Sequence, residues 1–144
     1  MIRKACSADA GMLGVLASEF WPHHSSEELK REFDVLLTRP DAACFLALDG
    51  GKPVGFAQCQ LRRDYVEGTE TSPVGYLEGI YVTESARNRG LARQLLAECE
   101  NWAGERGCRE FASDCELDNT GSLDFHLALG FREANRIICF TKKL

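Results

Sequence analysis

Apolar residues along this chain follow two different rhythms, and the switches between them divide it into elements. Met12, Leu13, Leu16 and Phe20 recur at helical spacing behind Ser7, which offers an N-cap, so a helix is predicted from there to about residue 20, with Pro22 closing it. Ser25 with Glu28 three residues on has the form of a capping box, and Leu29, Phe33, Leu36 and Leu37 carry a second helix to Arg39-Pro40. The stretches 44–48 and 54–62 read instead as antiparallel strands joined through Asp49-Gly50-Gly51, a hairpin turn whose glycines admit positive φ. A short strand at 2–5 precedes them all.

Residues 63–73 break the pattern with Gly, Thr, Ser, Pro and the acids Asp64, Glu67 and Glu70, which predicts an exposed loop placed as a lip over a substrate. Apolar character returns in a central strand at 74–82. Next comes a helix from about 90 to 105 that buries Leu91, Leu95, Leu96 and Trp102 and ends at Arg106-Gly107. A strand at 111–114, a helix at 120–129 capped by Asn119, and a last strand at 135–142 complete the order. With no repeat or linker, residues 1–144 are expected to form one domain.

Between the central strand and its helix lies Arg87-Asn88-Arg89-Gly90-Leu91-Ala92. A glycine here lets backbone approach an anion, Ala92 keeps the next turn uncluttered, and the first helical N–H groups point outward with the positive end of the dipole behind them. Arg87, Arg89 and Arg93 add cations, as a pyrophosphate site requires.

The balance of charge narrows the ligands further. A net charge of −5 opposes nonspecific nucleic-acid binding and suits a cationic partner, with acids at Asp64, Glu67, Glu70, Glu78, Asp114, Glu116 and Asp118 on the expected substrate side. The 44% hydrophobic and 27% charged content is that of an ordinary globule, and apolar runs such as 42–48 are too short to cross a bilayer as a helix. Met1-Ile2-Arg3-Lys4 has no apolar run behind it, so no secretory signal is read and a cytoplasmic location is expected. Seven cysteines without a Cys-x-x-Cys pair read as reduced thiols. Cys115 has only acids beside it and nothing to lower its pKa. Three histidines lack ligand spacing, so no metal is expected.

Arg87, Gly90 and Ala92 fill the Arg/Gln-x-x-Gly-x-Gly/Ala places after a strand, with Leu77 to Val82 upstream, Asn119 downstream and Leu129-Gly130-Phe131 near the end. In this set the chain resembles the GCN5-related N-acetyltransferase (GNAT) superfamily across nearly its whole length. A narrower likeness, to the bacterial aminoglycoside 6'-N-acetyltransferases, lies in Phe20 to His24, Arg63 to Val66, Ser72 to Val74, Leu77 to Gly79 and Ala112 to Asp114. The resemblance implies an α+β, three-layer GNAT fold. Its central sheet would be mixed and mostly antiparallel, splayed between the two central parallel strands and flanked by about four helices.

Acetyl-CoA as co-substrate, a cationic amino-sugar antibiotic as acceptor, attack in a ternary complex and a homodimer are implied with it. By the same likeness Ile80, Tyr81 and Val82 present main chain to the pantetheine arm, and Arg87, Asn88, Arg89, Gly90, Leu91, Ala92 and Arg93 hold the diphosphate. Gly79 is consistent with a bulge where the two strands separate. A primary ammonium is about one-thousandth neutral at pH 7, so a carboxylate near it assists attack. Glu78 is the first candidate, as proton acceptor or as anchor for the ammonium, and Asp114 the second.

Trp21, His24 and Tyr65 match positions lining the antibiotic pocket, although Trp21 is equally read as core. Asn135 falls where the subgroup can carry an acid that contacts substrate, so that charge is missing here. Asn119 is read as a coenzyme contact or a plain N-cap. His126 stands where many members place a tyrosine, and either donates a proton to the leaving thiolate or packs beneath the coenzyme. Two other functions share these features: acetylation of another amine, such as a polyamine or a protein N-terminus, and a coenzyme-A-binding regulatory module without catalysis.

Overall fold

A computed structural model describes residues 1–144. Its elements are β1 (Ile2–Lys4), α1 (Ala10–Phe20), α2 (Ser26–Leu36), β2 (Ala42–Asp49), β3 (Lys52–Arg62), β4 (Val74–Val82), α3 (Leu91–Glu105), β5 (Phe111–Ala112) and α4 (Thr120–Ala128), with short 3-10 turns at Ser7–Asp9 and Glu84–Ala86. The five strands form one sheet in sequence order, antiparallel from β1 to β4 and parallel between β4 and β5. None of the helices is long and apolar enough to cross a membrane.

Strand alternation divides the core into two layers. In β2, Ala43, Phe45 and Ala47 turn to the face covered by α3, where they meet Leu95, Leu96, Cys99 and Trp102. Ala42, Cys44 and Leu46 turn to the other face, where Leu13, Leu16 and Ala17 of α1 and Leu29, Phe33 and Leu36 of α2 close over Phe56. A strand buried on both faces is almost continuously apolar, as Ala42–Asp49 is. The result is a helix pair, a sheet and a third helix stacked in that order, with α4 at the rim and none of its residues fully buried.

Several expected boundaries shift for local physical reasons. Ser7 does not cap the first helix. The Asp9 carboxylate instead accepts from the Cys6 amide at 2.8 Å, and a 3-10 turn precedes the helix proper. At the second helix Ser25 Oγ accepts from the Glu28 amide at 3.1 Å, which is one half of the box. The Glu28 carboxylate faces His24 Nδ1 at 3.5 Å instead of returning to Ser25. That helix ends at Leu36, ahead of the proline. Asn119 caps α4 as expected, its side chain accepting from the Ser122 amide.

The last strand, expected at 135–142, does not form. Phe131 still packs on Phe111 and His126, but beyond it the chain pairs with no edge of its own sheet, and a strand exists only where a neighbour takes its hydrogen bonds. Likewise the strand expected at 111–114 keeps only its first two residues, because β4 pairs with it at Gly75–Phe111 and Tyr76–Ala112 and then diverges.

Candidate active site

That divergence makes the site. Past Tyr76, the edge of β4 that faces β5 continues to Val82 without a partner strand, so its main-chain groups, apart from the Leu77 and Val82 carbonyls that accept from Ser113 and Arg87, are free to take an extended ligand as an added strand. A groove of about 560 Å³ opens along it. Register shifts in the same place on the other edge: Gln58 faces Gly79 while Cys59 faces Leu77, leaving Glu78 as the extra residue of a bulge. A bulge re-aims the side chain it carries. Gly79 is required here by space, since a Cβ on it would lie 2.9 Å from the indole of Trp21.

One end of the groove is the start of α3. Gly90 stands at the N-cap with φ of 76°, in the left-handed region, and no side chain caps the helix. Asn88 is left-handed too, with φ of 63°. Left-handed residues placed this way turn successive N–H groups into one concavity, and the uncapped amides of the first turn add to it. Arg87, Asn88, Gly90, Leu91 and Ala92 line the groove, as do Ile80, Tyr81 and Val82. Arg87 is steadied by donating Nε–H to the Val82 carbonyl at 3.0 Å. Arg89 and Arg93 lie outside the lining. The first pairs with Asp49 at 2.9 Å and the second donates to the Ala128 carbonyl at 3.2 Å.

Farther along, Ser113, Asp114, Asn119 and His126 form the facing wall. His126 Nδ1 lies 2.6 Å from the Ser122 carbonyl, which accepts only if that nitrogen carries the proton. Nε2, 2.8 Å from Ser113 Oγ, is then an acceptor in the neutral ring. Both readings of His126 keep it in the groove wall.

Glu78 lines this groove and also a second cavity of about 270 Å³, bounded by Trp21, His24, Glu32 and Gln58. Its carboxylate is paired with Arg62 at 2.9 Å, and 22% of its side chain is exposed. Arg62 in turn stacks on Tyr76, 3.4 Å from the ring centroid, and the Tyr76 hydroxyl donates to the Asp114 carboxylate. Burial, followed by that hydrogen bond, raises the Tyr76 phenol well above its ordinary pKa, so it remains a donor. Trp21 is both packed against the core and open to a cavity. It packs on Phe20 and Phe56 at 4.9 and 5.8 Å between centroids and forms a wall of the second cavity.

Two expected pocket residues are not brought to either cavity: Tyr65 is 76% exposed on its loop, and Asn135 donates to Glu67 at 3.1 Å. Three other residues of the site lie outside the sequence reading. Arg62 sits on the same sheet face as Tyr76, and its period-two placement was the available signal. Glu32 carries no such mark. Glu19, next to Phe20-Trp21, accepts from the Tyr81 hydroxyl at 2.8 Å on the groove rim.

A strand edge open to an extended ligand, a helix start open to an anion and a carboxylate between two cavities suit transfer of an acyl group from a long anionic donor to a cation. Comparison with known proteins agrees. The Acetyltransferase (GNAT) family matches residues 12–131. "Aminoglycoside N(6')-acetyltransferase type 1" of Serratia marcescens is 44% identical over 131 residues, 90% of this chain and 89% of that protein. The protein of the same name from Salmonella typhimurium is 41% identical over 128 residues, 89% and 88% of the two chains. Among solved structures, AAC(6')-Iy in complex with the bisubstrate analog CoA-S-monomethyl-acetylneamine superposes with a TM-score of 0.94 at 38% identity, covering all of this chain and 98% of the other.

Proposed function

The chain belongs to the acetyltransferase (GNAT) family, and from that premise we propose that it moves acetyl from acetyl-CoA to the 6'-amino group of aminoglycosides, so conferring resistance to them. The observation that carries this reading is the position of Glu78, whose carboxylate borders both the groove and the second cavity. Two substrates lying in those two spaces meet at one acid. Relatives more than 40% identical carry the same activity in their names, and AAC(6')-Iy has been solved with CoA joined to an aminoglycoside fragment.

In this reading the diphosphate lies against the amides of Gly90, Leu91 and Ala92, with Arg87 and Asn88 beside them. Arg89 and Arg93 act from outside as diffuse positive charge. The pantetheine arm pairs with the free edge from Ile80 to Val82, and main-chain N–H there polarises the thioester carbonyl. Asn119 and His126 flank the arm.

The acceptor's ammonium is drawn to Glu78 and Asp114, loses a proton to solvent or carboxylate, and attacks the carbonyl carbon. A C–N bond forms, the nitrogen gives up its second proton to solvent or carboxylate, and the tetrahedral oxyanion collapses with the C–S bond breaking to give the thiolate, which takes up a proton from solvent. Trp21 and His24 supply the wall for the sugar rings, and Tyr65 and Asn135 stand outside both cavities.

The homodimer and the cytoplasmic location belong to the same proposal. What supports the first is the carboxy-terminal arm, whose Ile137, Ile138 and Phe140 are 68%, 79% and 88% exposed. Seven unpaired cysteines suit a reducing compartment. Thiol release from acetyl-CoA, followed with kanamycin or tobramycin and with a polyamine, tests the function. Antibiotic-dependent release is expected, and release with the polyamine alone would overturn the assignment.

A further inference from the structure

Arg62 is the only cation in an ion pair with either acid of the site. Its Nε–H and Nη2–H donate to Glu78 Oε1 at 3.2 and 2.9 Å, while Oε2 receives one longer bond of 3.2 Å. The guanidinium carbon lies over Tyr76, a buried ring whose hydroxyl donates to Asp114. Glu78, Arg62, Tyr76 and Asp114 therefore form one continuous chain of contacts with a carboxylate at each end. A bulge residue such as Glu78 has no ladder to fix it, so its direction depends on such a partner.

We propose that Arg62 is a positioning residue for acetyl transfer: it fixes Glu78 directly, and Asp114 through Tyr76, as two acids at a set spacing. It leaves Glu78 Oε2, the less engaged oxygen, to face the acceptor's nitrogen. Only a planar fork can pair with a carboxylate and stack on a ring together, so lysine is not an equivalent. This rests on the proposed reaction, in which an amine must meet those acids.

A double-mutant cycle with Arg62→Gln, Glu78→Gln and the pair tests it, with Arg62→Lys beside them. Arg62→Gln is expected to lower kcat with the antibiotic about tenfold, a coupling normal within one ion-pair network, while KM for acetyl-CoA stays within about twofold. In the Glu78→Gln background the same change should cost clearly less, about threefold, the part that acts on Asp114 through Tyr76, and Arg62→Lys should not restore kcat. Penalties that multiply, a parallel rise in the acetyl-CoA KM, or full activity in Arg62→Lys would each overturn the proposal. If the unaltered protein turns over a polyamine and no antibiotic, the substrate reading fails, and the cycle run on the polyamine still judges Arg62.

Discussion

Asp9 is the one charged residue in the core, only 6% exposed, and it survives there because every side of its carboxylate is met. Arg3 donates twice at 2.8 Å and the Cys6 amide once more, which holds its pKa well below the ordinary carboxylate range. A folded pKa below the unfolded one stabilises the fold above the unfolded value, near about 4, and that contribution is lost as pH falls from there toward the folded value. The stability gap between the native protein and Asp9→Asn, read from urea unfolding, should be wide at neutral pH and narrower in acid. A gap that does not change with pH contradicts this.

The site's residues were legible where their chemistry is explicit. Glu78 and Asp114 stand out as acids in expected strands, and both line the groove, although the strand ends at Ala112, short of Asp114. Arg62 did not, because its period-two placement gives the sheet face it lies on but not whether it meets solvent or a carboxylate there. Only the register of β3 against β4 places it over Tyr76.

At the scale of elements, the start of α3 is the most exacting. A Cβ on Gly90 would meet nothing closer than Gln94 Nε2 at 3.8 Å, so any substituent there fits in space but not in backbone conformation. A φ of 76° costs a β-branched residue about 1–2 kcal/mol, and relief of that strain would rotate the amides of the first turn. Gly90→Val should raise KM for acetyl-CoA about tenfold and leave KM for the antibiotic nearly unchanged. Gly90→Asn, which tolerates the left-handed region, should cost less. Equal coenzyme affinity in all three proteins would count against the loop assignment.

This junction was readable in advance, as were the presence of all four helices and the bounds of β4, because hydrophobic periodicity is a local property, whereas the Ser7 cap and the end of α2 were not. Strands β5 and 135–142 were not, since pairing depends on which edge the folded chain meets.

The whole molecule leaves one surface unfinished. The apolar run Ile137 to Phe140 reads as strand in sequence and finds no edge in its own sheet, so the side chains of Ile137, Ile138 and Phe140 stand in water. A second copy that covers them would complete the proposed homodimer. Truncation after residue 132 should then shift the protein from dimer to monomer in sedimentation analysis, and an unaltered mass would contradict it.

Above all of these stands the proposal that an acyl donor in the groove and an amine in the second cavity meet at Glu78, which lines both. The most direct measurement is nuclear magnetic resonance of kanamycin recovered after turnover with acetyl-CoA. A single acetyl group on the 6' nitrogen is the predicted result. Acetyl on another nitrogen, or antibiotic recovered unchanged while the donor binds, would contradict it.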